Sequence, residues 1–152
     1  MIPPRDDHQS GVDRRTFFTG IATLSVAFLA GCSGTDSNGS EDYDGWLDDV
    51  PGFDGTVDLT ETERVAVTVG ADGGLAFDPI AIRVDVGTTV VWEWSGHGGY
   101  HDVKSDDGVL DSGEYTNVPG HTYEHAFDRE GTYRYYCSPH RSAGMKGVVE
   151  VV

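Results

Sequence analysis

From Arg64 onward the chain is a succession of short β-rich runs punctuated by Gly and Asp, a pattern that leaves few architectures open. Arg64 to Val69, Ile80 to Val84, Thr88 to Trp94, His121 to Phe127, Thr132 to Tyr136 and Gly147 to Val152 all read as strands. They carry the β-branched and aromatic residues that suit a pleated, half-buried surface. Val65, Val67 and Val69 alternate with polar or small neighbours, as do Ile80, Ile82 and Val84, so one face of each run is meant for a core. No amphipathic helix competes with this reading. So many strands in so short a stretch predict an all-β sandwich.

The end of that region carries the chemistry. Cys137-Ser138-Pro139-His140-Arg141-Ser142-Ala143-Gly144-Met145 reads C-x2-H-x4-M, a thiolate, an imidazole and a thioether on one short loop. Magnesium and calcium want oxygen donors, and zinc normally takes four strong ligands. This softer donor set suits copper. A blue-copper centre needs two imidazoles and a thiolate in a plane with a long axial Met, so one His is missing from the loop. His101, in Gly98-Gly99-Tyr100-His101-Asp102-Val103, is the candidate, and His97 nearby competes with it. His121, Tyr123, His125 and Phe127 share a strand face, so His125 is expected to be a buried core histidine. Pro139 restricts the backbone between Cys137 and His140 and helps fix the loop.

Charge narrows the partners. The 152 residues carry a formal net charge of -16, from 10 Lys and Arg against 26 Asp and Glu. Nucleic acid and anionic headgroups are poor partners for such a surface. At about 1 M ionic strength the Debye length is only about 3 Å, so strong salt makes the self-repulsion tolerable. The composition points to a halophilic source. Gly131 to Val149 holds no Asp or Glu but includes Arg134, Arg141 and Lys146. That asymmetry predicts a neutral or mildly basic, apolar copper end on an acidic body, with the edge of His140 as electron port.

The start of the chain reads as a targeting signal. Asp13-Arg14-Arg15-Thr16-Phe17-Phe18, an apolar run from Gly20 to Ala30 and then Gly31-Cys32 have the layout of a signal peptide. Arg14 and Arg15 resemble the twin-arginine (Tat) export signal. Leu29-Ala30-Gly31-Cys32 resembles a lipobox, in which cleavage before Cys32 is followed by lipid attachment to its sulfur. The apolar run is shorter than the about 20 residues a transmembrane helix needs. The expected organisation is a leader over 1–31, a flexible acidic linker over 32–45, an extension over 46–63 and the folded domain over 64–152. Trp46, Leu47, Val50 and Phe53 suit the extension to packing on that domain. With Cys32 taken by lipid and Cys137 by metal, neither of the 2 Cys is left for a disulfide.

Residues 64–152 resemble the cupredoxins. Phe77-Asp78-Pro79, leading through Ile82, Val84, Gly87 and Val90 to Trp92, looks like the family's early strands. Gly131 to His140, continuing to Ala143-Gly144-Met145, is similar to plastocyanin, and the acidity, the lipobox and the Trp46 to Thr60 segment are similar to the haloarchaeal halocyanins. The resemblance implies a Greek-key β-sandwich holding one type 1 copper ion that cycles between Cu(I) and Cu(II). It implies His101, Cys137, His140 and Met145 as the ligands, and Tyr136 as a second electron route beside the thiolate; plain packing explains that tyrosine equally well. Asp102 departs from the family, which commonly has an Asn there tying the two ligand segments together. An ionised carboxylate can only accept hydrogen bonds. Either the tie is rewired or the site gains a negative charge that favours Cu(II). The implied role is single-electron transfer between membrane-bound redox proteins, donor and acceptor, by a lipid-anchored monomer on the outer face of the cell membrane. Extracytoplasmic copper delivery or resistance is the alternative, but such proteins tend to have Met- and His-rich tracts and this chain has 2 Met. An enzyme would need a second copper with further His ligands.

Overall fold

The computed structural model describes residues 43–152. The expected leader with Arg14 and Arg15, the lipobox with Cys32 and nearly all of the linker lie outside the described residues. Among the described residues no helix is long and apolar enough to cross a membrane.

Two four-stranded sheets pack face to face. The first runs, in spatial order, β3 (Ala76–Asp78), β2 (Arg64–Ala71), β5 (Thr89–Trp94) and β6 (Thr122–Ala126). The second runs β1 (Val57–Asp58), β4 (Ala81–Val84), β8 (Lys146–Val151) and β7 (Gly131–Tyr136). β2 pairs parallel with β5 and β4 parallel with β8, while β5 and β6, and β7 and β8, pair antiparallel. Strands distant in sequence thus become neighbours, and the architecture is a Greek-key β-sandwich. The six runs expected from the sequence are strands here to within two residues. β1 and β3 are additions, too short to show a period and defined by their partners: Val57 lies opposite Ile82, and Phe77 opposite Val69.

The pleat decides which side chains meet between the sheets. Val65, Val67 and Val69 of β2 turn inward while Arg64, Ala66 and Thr68 stay exposed. They join Phe77, Ile82, Val84, Val90, Trp92, Trp94, Phe127, Tyr135, Val149 and Val151 in one core. Trp92 and Tyr135 meet edge to face at 5.4 Å, and Phe77 meets Tyr135 at 4.8 Å, the geometry aromatic quadrupoles prefer. β8 does not alternate, because its sheet is covered on both sides. Val149 faces the main core, whereas Val148, in register with Ala81, faces outward beneath Leu47 and Val50. Tyr43, Trp46, Phe53 and Ile80 complete that second, smaller cluster. Each fully buried Leu or Val contributes about 1.5–3 kcal/mol, so the segment around Leu47 is held by its own apolar anchor.

β6 corrects one expectation. It is an edge strand with β5 as its partner, and His125 is half-buried rather than a core residue, its ring 4.7 Å from that of Phe127. His121 is exposed and stands edge-on to Trp94 at 4.8 Å. An apolar-looking alternation on an edge strand marks a face that is covered only in part: Phe127 is buried, while Tyr123 and His125 are half-buried.

Candidate metal centre

The C-x2-H-x4-M loop is the turn of the β7–β8 hairpin. The ladder runs up to Tyr136 opposite Lys146 and continues one step further, with the Cys137 N–H donating to the Met145 carbonyl at 3.0 Å. The two sulfur residues therefore face each other across the neck of the loop. Between them Ser138–Ala143 forms 3-10 turns, with Pro139 near the start, where its missing N–H costs nothing. The His140 N–H donates to the Cys137 carbonyl at 3.2 Å, and the Met145 N–H to the His140 carbonyl at 3.2 Å. Gly144 closes the turn at φ 84°, a left-handed conformation that favours glycine. Cys137 and Met145 are fully buried, and His140 is half-buried.

His101 comes from elsewhere. It lies in the long connection between β5 and β6, held by an isolated bridge to Thr116. His101 N–H and carbonyl both pair with Thr116 at 2.9 Å, and the Trp94 indole N–H donates to the same carbonyl at 3.0 Å. Three residues further, Lys104 bridges to Tyr136 and so ties this connection to the end of β7. The His101 ring is fully buried, and its Nε2 lies 2.7 Å from the His97 carbonyl. An Nε2–H donating there leaves the Nδ1 lone pair free for a metal. The competition between the two histidines is settled by this geometry: His97 itself is exposed and contributes its backbone oxygen.

Three donor atoms converge. Cys137 Sγ is 3.6 Å from His101 Nδ1 and 3.6 Å from His140 Nδ1, and the two Nδ1 atoms are 3.2 Å apart. Metal–nitrogen and metal–sulfur bonds of about 2.0–2.3 Å place donors around a shared ion roughly 3–4 Å apart, so the triangle fits one ion. It is a single group of metal-ligating side chains among the described residues. Burial pushes the Cys137 thiol up to about 11, and burial, reinforced by the neighbouring His140, lowers His101 below the ordinary histidine value. His101 is thus neutral and able to ligate at neutral pH, whereas Cys137 must give up its proton to the incoming metal.

The surroundings hold this arrangement in place. Asp102, itself 2% exposed, accepts the Ser138 N–H at 2.6 Å, so the carboxylate keeps the tie between the two ligand segments. Gly70, at φ 85°, lets the histidine segment approach β2. A Cβ there would stand 2.7 Å from the His97 carbonyl oxygen and 3.1 Å from His101 Nε2. Gly70, Ser95 (whose hydroxyl donates to the Gly70 carbonyl at 2.7 Å) and Trp94 were missed in the sequence. The signal available was a glycine inside the alternating β2 run, which marks a bulge or a close backbone approach. Register does shift between Val69 and Ala71.

Of the neutral and mildly basic copper ends left open above, the structure shows the neutral one. Arg134, Arg141 and Lys146 are each tied to a carboxylate from another part of the chain, Asp44, Asp106 and Asp49 respectively. Around His140 the surface is neutral and partly apolar, a shallow hollow lined by Gly99, Tyr100, Tyr115, Ser138 and Pro139. Tyr136 lies under the Arg141 guanidinium at 4.0 Å, and that guanidinium forks onto both Asp106 oxygens at 2.9 Å.

A family model for copper-binding proteins of the plastocyanin/azurin family matches residues 64–152. The chain belongs to that family. It is 42% identical to halocyanin of Natronomonas pharaonis over 160 aligned residues, covering 92% of this chain and 98% of the relative. It is 39% identical to plastocyanin of Scenedesmus fuscus over 97 residues, 57% of this chain and 98% of the relative. Among solved structures, oxidised plastocyanin of Dryopteris crassirhizoma aligns at 27% identity with a TM-score of 0.47, over 57% of this chain and 99% of the other. As a halocyanin- and plastocyanin-like cupredoxin, the chain holds copper with His101, Cys137, His140 and Met145, a type 1 site. It is a blue copper protein of the electron-carrying kind.

Proposed function

We propose that this chain carries single electrons between a membrane-bound donor and a membrane-bound acceptor, anchored by lipid on Cys32 to the outer face of the cell membrane. The observation that carries the reading is the triangle of Cys137 Sγ, His101 Nδ1 and His140 Nδ1, two of its residues buried and His140 half-buried, with Met145 on the same hairpin turn. Copper bound there supplies the redox couple, taking up and releasing one electron. The protein supplies rigidity: donors fixed by a hairpin neck, a cross-chain bridge and the Asp102 tie have little room to rearrange when the charge changes. The half-buried His140, at a neutral hollow with exposed Tyr100 and Tyr115, is the port through which the electron leaves. A Tyr136 route would reach the surface through Arg141, which covers that ring.

No enzymatic step is assigned. The remaining described histidines are dispersed, His97 exposed, His121 on Trp94 and His125 on Phe127. The leader motif at Arg14 and Arg15 supports Tat export, the lipobox supports anchoring, and the charge of -16 supports a halophilic archaeal setting. Monomeric action and the absence of nucleic-acid binding belong to the same reading.

An optical and EPR titration with Cu(II) in high salt tests it. An intense blue band that ascorbate bleaches and ferricyanide restores is expected. Colourless or irreversible copper binding would sink the electron-carrier reading in favour of copper delivery or resistance. Retention of Cys32→Ser in the membrane fraction, to the same extent as the unaltered chain, would remove the lipid anchor from the proposal.

A further inference from the structure

The family model begins at residue 64, yet the chain places an earlier segment directly against the copper loop. Trp46 donates its indole N–H to the Gly147 carbonyl at 3.1 Å. Its ring also stands 5.0 Å from the Lys146 ammonium and 5.4 Å from the Arg141 guanidinium, cation–π range for both. Lys146 forms an ion pair with Asp49 at 2.7 Å, and 14% of its side chain remains exposed, so water competes weakly for that ammonium. Gly144 is pressed from the same side: a Cβ there would fall 2.5 Å from the Asp49 carbonyl oxygen and 3.0 Å from Pro51. Leu47 and Val50, buried against Ala81 and Val148, anchor the segment to the outer face of the sheet.

These contacts share a target. Gly144, Lys146 and Gly147 bracket Met145, and none of residues 46–51 is itself a ligand. The loop's own hydrogen bonds and the end of the β7–β8 ladder fix Met145 relative to His140 and Cys137, and residues 46–51 add a second set of contacts to the same turn. A thioether is a weak donor, and in blue-copper sites the Met ligand tunes the potential, so whatever holds Met145 would bear on the centre that copper forms there. Groups that hold ligands in place from outside the coordination sphere commonly matter for metal retention nearly as much as the ligands do.

We propose that residues 46–51 are a clamp on the Met145 side of the copper loop, with Trp46 and Asp49 as positioning residues that set copper retention and the state of the copper–thiolate centre. This rests on the copper reading above, which the unaltered protein tests by its own blue band before any variant is compared.

The experiment uses copper-loaded protein and two mild variants. Trp46→Phe keeps an aromatic ring but loses the N–H donor, and Asp49→Asn removes the partner of Lys146 at a half-exposed site. Four quantities are read: the rate of copper loss to a chelator, the EPR and absorption spectrum, the reduction potential, and the melting temperature of the apoprotein. Trp46→Phe is expected to speed copper loss about tenfold and to shift spectrum and potential, with Asp49→Asn moving them less in the same direction. A lowered apoprotein melting temperature with unchanged copper loss, spectrum and potential in both variants would make the segment a cover for Ala81 and Val148 only, and would overturn the proposal. Trp46→Leu extends the series; should it fail to fold, the other two variants still decide.

Discussion

The two chain segments that deliver the copper ligands are held by different means. The loop from Cys137 to Met145 is stabilised largely within itself and its hairpin: Pro139 near the start of its turn, Gly144 in the left-handed conformation, and backbone hydrogen bonds linking Cys137, His140 and Met145. The segment from Ser95 to Asp102 has a slighter internal frame, the His97 N–H on the Ser95 hydroxyl and the His97 carbonyl at His101 Nε2, and leans on other parts of the chain. His101 is placed by Thr116, Trp94 and the His97 carbonyl, and the segment around it by Ser95 on Gly70 and by Gly98 packed on Gly74. A local frame can be recognised in a short motif, whereas a frame made by distant partners cannot. The comparison also implies different failure modes, since altering the loop changes the chemistry of the ligands and altering the other segment changes where a ligand stands.

Removing the thiolate gives the largest effect. Cys137→Ser should abolish the intense copper–thiolate absorption while the two imidazoles remain, a loss visible by eye and in the EPR spectrum. On the other segment the heaviest blow falls without touching a ligand. A Cβ on Gly98 would lie 1.9 Å from the Gly74 carbonyl oxygen, at a backbone φ of 79°. Overpacking of that kind costs about 1–3 kcal/mol, and the left-handed backbone adds about 1–2 kcal/mol for an alanine. Gly98→Ala should therefore lower the melting temperature and weaken copper binding together, whereas Cys137→Ser spares the fold. A Gly98→Ala protein with native copper affinity would show that His101 does not depend on its distant partners.

Asp102 joins the two segments, and its charge and its hydrogen bond can be separated. Asp102→Asn keeps an oxygen to accept the Ser138 N–H but removes a negative charge beside the site. Negative charge favours Cu(II) over Cu(I), so the substitution should raise the reduction potential, by an amount on the order of the 59 mV that corresponds to tenfold for one electron. A potential that stays the same or falls under voltammetry would refute that sign. Pro139→Ala should have the smallest effect. It restores freedom mainly to the unfolded chain, worth about 0.4–1 kcal/mol, and denaturant unfolding should register the loss with little spectral change.

Legibility in the sequence followed the same division. The strand set could be read because Val65, Val67 and Val69 and their counterparts alternate with the pleat, a local rule of side-chain direction. The copper loop could be read because soft donors at C-x2-H-x4-M spacing have few other uses. β1 and β3 could not, because two- and three-residue strands exist only through partners far away in sequence. His125 was misjudged because alternation cannot tell an edge strand from a central one. Whether the copper end is neutral or mildly basic was open in the sequence, because the partners that neutralise Arg134, Arg141 and Lys146, namely Asp44, Asp106 and Asp49, come from distant parts of the chain.

By itself, the sequence determined the all-β class, the kind of metal and three of the ligands, because residue type, pleat period and loop spacing act over a few neighbouring residues. The tertiary structure decided that His101 rather than His97 completes the triangle, that Nδ1 rather than Nε2 faces it, and that Trp46 and Asp49 lie against the loop. Those outcomes depend on which distant segments the sandwich brings within hydrogen-bonding reach, a consequence of sheet pairing that no local pattern carries.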